Sequence, residues 1–263
     1  MDLKLTGKIA LVTGSTAGIG FAIAKALASE GAQVYVNGRT QERVDAAVAA
    51  IRSYAAAAKV DGIAADFSGS AGAEMVIAKL PAVDVLVNNV GIFEPKPFAE
   101  IPDADWYRLF EVNVMSGVRL SRHYLAGMLE RNWGRILFMS SESGVQIPAE
   151  MVHYGMTKTA QIAVARGIAE SVAGTGVTVN SILAGPTESE GVGAFVEAMA
   201  KQEKSKAEVE RQFFEHARPS SLLKRFATVD EVAALATYVA SELSSATNGA
   251  ALRVDGGVIR AIF

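Results

Sequence analysis

An apolar run, Lys8-Ile9-Ala10-Leu11-Val12-Thr13, breaks at Gly14-Ser15-Thr16-Ala17-Gly18-Ile19-Gly20, and an alanine-rich helical stretch follows through Ser29. No other feature of the chain restricts its fold as much. A strand feeding a glycine-rich turn that opens a helix forms the phosphate-binding corner of a dinucleotide fold. Gly14 allows the tight turn, Gly18 lets the backbone approach a pyrophosphate, and Gly20 permits close packing of helix on strand. The helix N-terminus then directs free N–H groups and the positive end of its dipole at the phosphates. A structural glycine turn in some other α/β protein is the competing explanation, and the rest of the chain has to decide.

Apolar patterning places strands near 8–13, 32–37, 61–65, 83–88, 134–140, 176–182 and 250–255. Helices fall between them, near 18–30, 40–57, 70–80, 103–130, 150–173 and 228–242. This alternation predicts an α/β fold, a Rossmann-type doubly wound parallel sheet of about seven strands with helices on both faces. No linker, repeat or low-complexity tract divides the chain, so 1–263 reads as a single domain. Right-handed crossovers bring Gly14, Gly38, Asp66, Asn88, Ser141 and Gly185 to the edge where ligands bind in such sheets.

Tyr154 and Lys158 lie four residues apart on the expected helix and so share one face. An ammonium beside a phenol favours the phenolate, so the pair predicts a tyrosine pKa below the usual ~10. Such a tyrosine can exchange a proton with an alcohol near neutral pH. Tyr and Lys at this spacing also occur by chance, and the weight of the pair comes from the other motifs.

Thr13-Gly14-xxx-Gly18-Ile19-Gly20 together with Tyr154-xxx-Lys158 resembles the short-chain dehydrogenase/reductase family. Asn88-Asn89-Val90-Gly91, Asn113, Ser141-x-x-Gly144 and Asn180 stand in the matching order, with Ser141 thirteen residues before Tyr154. The resemblance implies hydride transfer between a nicotinamide and a ketone or secondary alcohol. It makes Tyr154 the proton donor or acceptor, and Ser141 the partner of the substrate oxygen. Lys158 would lower the tyrosine pKa and hold the nicotinamide ribose. Asn113 would hold a water linked to that lysine. Ser140 and Ser143 adjoin Ser141, and the family spacing singles out Ser141. Asn88 and Asn180 read as scaffold, and His153, beside Tyr154, faces another direction.

The second strand bears on the choice of cofactor. An NAD site places a carboxylate near that strand's end; here Gly38 stands there, followed by Arg39, whose guanidinium suits a 2′-phosphate. NADP(H) is therefore expected, with NAD(H) the alternative and a solvated loop arginine the plainer explanation of Arg39. Further cofactor contacts are expected from Ser15, Thr16, Gly18, Ile19 and Gly20 in the turn. Asp66 and Phe67 would border the adenine, with Asn89, Gly91, Gly185 and Thr187 nearby. The chain departs from the family's Asn-x-x-x-Pro-Gly, because Pro186 follows Gly185.

A helical, charged segment at about 187–220 is expected to cover the substrate. Val192, Phe195, Met199 and Phe213-Phe214 would line an apolar pocket with Phe93, Val145, Ile147 and Met151; a Met/Phe stripe equally suits plain core packing. Substrates in view are a ketone or alcohol, or an acyl thioester of the 3-oxoacyl-carrier-protein type. The alternative to catalysis is an NADP-binding sensor or scaffold. A net charge of −3 without a basic block argues against nucleic acid. The lack of cysteine removes disulfide and thiolate chemistry, and no metal site is expected. No run approaches membrane-spanning length and Met1–Leu5 lead into no apolar stretch, so a cytoplasmic protein is expected. Relatives of this kind assemble as homotetramers or dimers, partly through the helices near 103–130 and 150–173.

Overall fold

The structure is a computed structural model that describes residues 2–188 and 205–262. Its first half runs Ile9–Val12 (β1), Gly18–Ser29 (α1), Gln33–Gly38 (β2), Gln41–Tyr54 (α2), Val60–Ala64 (β3), Ser70–Lys79 (α3) and Val85–Asn88 (β4). Then come Asp103–Phe110 (α4), Ser116–Glu130 (α5), Gly134–Ser141 (β5), Val152–Ser171 (α6) and Val177–Ala184 (β6). Lys206–Gln212 (α7), Val229–Val239 (α8) and Ala251–Val254 (β7) complete the order.

The seven strands form one parallel sheet, as the alternation of elements predicts, and they stand in the order β3-β2-β1-β4-β5-β6-β7. Both faces are covered, which explains why β4, β5 and β6 are buried at every position. Side chains alternate between the faces with the pleat. Ala10 and Val12 pack under α1, α2 and α8, and Leu11 packs on the other side among residues of α3, α5 and α6. Each such Leu or Val contributes roughly 1.5–3 kcal/mol by leaving water. The chain leaves β1 toward β3, then returns to β4 on β1's other side, so the strand order reverses between β1 and β4. Their C-terminal ends carry Gly14 and Asn89.

The helix expected over 103–130 is interrupted. Glu111–Met115 forms a π turn between α4 and α5, and Asn113 sits at its centre. The helix carrying Tyr154 begins at Val152, after a short 3₁₀ turn. Among the described residues no helix is long and apolar enough to cross a membrane.

Candidate active site

The glycine corner is built to receive an anion. Gly14 (φ +59°) and Gly18 (φ +57°) take left-handed backbone that side-chain-bearing residues adopt at a cost. A Cβ on Gly20 would lie 2.4 Å from Asn89 Nδ2 and 2.5 Å from the Gly14 oxygen. Gly20 therefore makes room for Asn89 as well as for the strand. Asn89 Nδ2 donates to the main-chain oxygens of Thr13 and Gly14, both at 2.9 Å, locking β4's end to the turn. α1 starts at Gly18, and Ala17 before it provides no side-chain cap; no acidic residue stands in its first turn. Its N–H groups are thus left for a ligand, which fits a dinucleotide phosphate.

Ser15 differs from its expected role, because its side chain is fully buried. Its hydroxyl donates to the Val12 oxygen at 2.6 Å and accepts from Asn37 N at 2.9 Å, so it braces the turn from beneath. Asn37, which the motifs did not single out, is the hub there. Its Oδ1 accepts from Gly14 N, and its Nδ2 reaches the oxygens of Ile63 and Ala65. Thr16 packs on Gly38, where an added Cβ would lie 2.4 Å from Thr16 Cγ2. Arg39 is exposed beside it. Asp66 is exposed and accepts from Ser68 N, whereas the Phe67 ring is buried in the core with Ala65 and Val76. The turn into α3 points the Phe67 ring at the core, so Phe67 can border a ligand at this strand end only with its main chain.

Ser141, Tyr154 and Lys158 line one cavity of about 260 Å³ with Ile19, Asn89, Gly91, Gly185 and Thr187. Two glycines bring the Ser141 loop onto α6. A Cβ on Gly144 would lie 2.9 Å from the carbonyl carbon of Lys158, and one on Gly155 would lie 3.0 Å from the Ser143 oxygen. A Cβ on Gly185 would likewise lie 2.5 Å from the main-chain oxygen of Asp255. Thr187 is buried and donates to the Gly185 oxygen.

Lys158 Nζ lies 5.6 Å from the centre of the Tyr154 ring, with its hydrogen bonds directed away from the phenol. It donates to the Met139 oxygen at 2.7 Å and to Gln161 Oε1 at 3.2 Å. Burial lowers the lysine's pKa to about 8, with Glu142 opposing. The tyrosine departs from expectation. Burial first, and then the Glu142 charge, push its phenol above its ordinary value, against a Ser141 hydrogen bond and Arg218. The expected lowering by Lys158 is absent in this arrangement, because the phenol is desolvated while the ammonium is engaged elsewhere.

Asn113 clasps the main chain of Ile92, accepting from its N at 2.8 Å and donating to its O at 2.9 Å. The main-chain oxygen of Asn113 accepts from Gln161 Nε2 at 2.6 Å. The Gln161 amide therefore bridges Asn113 and Lys158. Asn180 joins the loop entering β7 through Thr247 and Ala250, as scaffold. His153 is fully buried against the edge of Trp106, apart from the cavity.

Phe93 lines the cavity, with its ring centre 6.0 Å from that of Tyr154. Met151 and Phe213 line it too. Val145 is half-exposed and takes no part in the lining, because the 3₁₀ turn after Ser141 places it at the surface. Phe195, Val192 and Met199 lie outside the described residues. Glu142 and Arg218 are the cavity residues whose importance the sequence did not show. The Glu142 carboxylate, next to Ser141 and buried, accepts from Ser141 Oγ and from Arg218 Nε, the latter at 2.9 Å. Arg218 Nη1 also reaches Glu150 at 3.1 Å.

The short chain dehydrogenase family model matches residues 8–200. The chain belongs to this family. An uncharacterized oxidoreductase of Bacillus subtilis is 46% identical over the full length of both proteins. The D-beta-hydroxybutyrate dehydrogenase of Cupriavidus necator is 36% identical, over 96% of this chain and 98% of its own. Among solved structures, L-sorbose reductase from Gluconobacter frateurii, complexed with NADPH and L-sorbose, superposes with a TM-score of 0.93. It is 28% identical, and the match covers all of both chains. As a short chain dehydrogenase, the protein is an oxidoreductase of alcohols and ketones, and the cavity at Ser141, Tyr154 and Lys158 is its candidate active site.

Proposed function

We propose that the protein interconverts a ketone and a secondary alcohol using NADP(H), with Tyr154 as proton donor in reduction. The observation that carries this reading is the convergence of Ser141, Tyr154 and Lys158 on one cavity beside the uncapped start of α1. The cofactor, when bound, supplies or accepts the hydride. Gly14, Thr16, Gly18, Ile19 and Gly20 bind its pyrophosphate, and Arg39 receives the 2′-phosphate next to the carboxylate-free Gly38. Asn89, Gly91, Gly185 and Thr187, which line the cavity, would contact it, and Lys158 would hold its ribose.

Ser141 orients the carbonyl oxygen and stabilises the charge that develops on it. Tyr154 gives that oxygen a proton, and its raised pKa suits the donor role. Asn113, through Gln161, positions Lys158. Phe213, Ala217 and Arg218, which follow α7, line the cavity that takes the substrate, while 189–204 of the expected covering segment lie outside the described residues. Assembly as a homo-oligomer and a cytoplasmic setting complete the proposal, with exposed Tyr107 and Phe110 on α4 supporting self-association.

The 3-oxoacyl thioester is one candidate substrate, supported by 31% identity to the 3-oxoacyl-[acyl-carrier-protein] reductase of Aquifex aeolicus. NADPH oxidation across ketones, hydroxyketones, oxo acids and 3-oxoacyl thioesters tests the reading. Turnover with one class supports it. Tight NADPH binding without turnover on any class favours a cofactor-binding sensor instead.

A further inference from the structure

Arg218 stands between two carboxylates in the catalytic cavity. Its Nε meets Glu142 at 2.9 Å and its Nη1 meets Glu150 at 3.1 Å, and its side chain is only 11% exposed. The group carries two negative charges and one positive, so Arg218 has no spare charge to offer an anionic substrate. A substrate carboxylate would meet Glu142 at short range, in surroundings where like charges repel strongly. The rest of the wall is largely apolar, including Phe93, Met151 and Phe213.

Glu142 also accepts the hydroxyl hydrogen of Ser141. If Ser141 turns that hydrogen to a carbonyl oxygen, Glu142 Oε2 loses its donor inside a buried site. A purely apolar ketone leaves that oxygen unsatisfied, which is costly. A hydroxyl on the carbon next to the carbonyl replaces the lost donor and keeps the hydrogen-bond count even. That hydroxyl's oxygen can in turn accept from the Arg218 guanidinium.

We propose that Glu142, held by Arg218, is a specificity-determining residue that selects a neutral ketone bearing a hydroxyl beside the carbonyl. The inference rests on the reading of the protein as an NADP(H)-dependent carbonyl reductase. It disfavours free oxo acids and long apolar acyl chains, and it makes substrate choice depend on the same hydroxyl, that of Ser141, that orients the carbonyl.

The test uses the full chain with NADPH and near-isosteric substrates: 1-hydroxybutan-2-one, pentan-3-one and 2-oxobutanoate, with an acetoacetyl thioester as a fourth. The expected wild-type kcat/KM favours the hydroxyketone over pentan-3-one and over the acid by at least about tenfold. Glu142→Gln, confirmed as folded by its melting curve, lowers the hydroxyketone-to-pentan-3-one ratio by about tenfold or more. Comparing variant with wild type cancels the intrinsic reactivity of each ketone. The wild-type ranking needs no variant and stands even where Glu142→Gln does not fold. Preference for pentan-3-one, the acid or the thioester overturns this inference and leaves carbonyl reduction intact, as does a ratio unchanged in Glu142→Gln. Butane-1,2-diol binding to the enzyme–NADP+ complex, read by calorimetry, separates the two readings further. No turnover with any substrate overturns the reductase reading while diol binding lost in Glu142→Gln still supports recognition, and absence of both overturns both.

Discussion

Lys158 donates to Oε1 of Gln161 at 3.2 Å, and Gln161 donates from its own amide to the main-chain oxygen of Asn113 at 2.6 Å. All three residues are buried. The lysine is thus tied through one amide to the π turn that carries Asn113. Gln161→Leu removes the bridge at similar volume and withdraws an acceptor from a buried ammonium, which favours its neutral form. The expected result is a fall in kcat of about tenfold, of the size of a displaced positioning group, with the alkaline limb of the pH profile moving lower. Gln161→Glu adds negative charge beside the ammonium and moves that limb higher. A merely structural glutamine would change amplitude in both variants and leave the limb in place.

The wild-type limb has an expected position. Lys158 titrates near 8, below its ordinary value of 10.5, because it is buried. Its charge is therefore present at neutral pH and lost as pH rises through about 8. Tyr154, held above its ordinary value, keeps its proton across that range. The kcat/KM for NADPH, which reports groups of the free enzyme, should be level from about pH 6 and decline above about 8. A profile level to beyond pH 10 contradicts this assignment.

Thr16 packs on Gly38, a contact that sequence alone conceals. A Cβ at position 38 would lie 2.4 Å from Thr16 Cγ2, so Gly38→Asp alone displaces Thr16 and loses stability as well as NADPH. Thr16→Ser removes that methyl. The pair Gly38→Asp/Thr16→Ser should fold and favour NADH, while Arg39→Ala weakens NADPH about tenfold or more and leaves NADH little changed. Dissociation constants by fluorescence titration check this, and equal losses for both cofactors in Arg39→Ala contradict it.

The fold was legible because its signals are local and repeated. The glycine corner, buried strand runs such as Val85-Leu86-Val87 and alanine-rich helices each announce their element, and alternation supplies the topology. Ser141, Tyr154 and Lys158 were legible because their spacing follows from the 3₁₀ turn and from α6. Hydrogen-bond partners over long sequence separations were not legible. Arg218 reaches Glu142 across 76 residues, and Asn37 braces Gly14 across 23. Tyr154 was misjudged for a related reason: a shared helix face put Lys158 near the ring, but the lysine's hydrogen bonds go to Met139 and Gln161. Val145 shows the limit of motif reading, since the 3₁₀ turn after Ser141 sends it to the surface.

The central claim, that Tyr154 passes the proton in NADPH-dependent carbonyl reduction, is tested most directly by Tyr154→Phe beside wild type. NADPH affinity and turnover of the best carbonyl substrate are measured on both proteins. The variant keeps the ring and loses the hydroxyl, so the NADPH dissociation constant should change by less than about threefold while turnover falls by about 10²–10⁴. Turnover within about fivefold of wild type, with NADPH still bound, contradicts the claim.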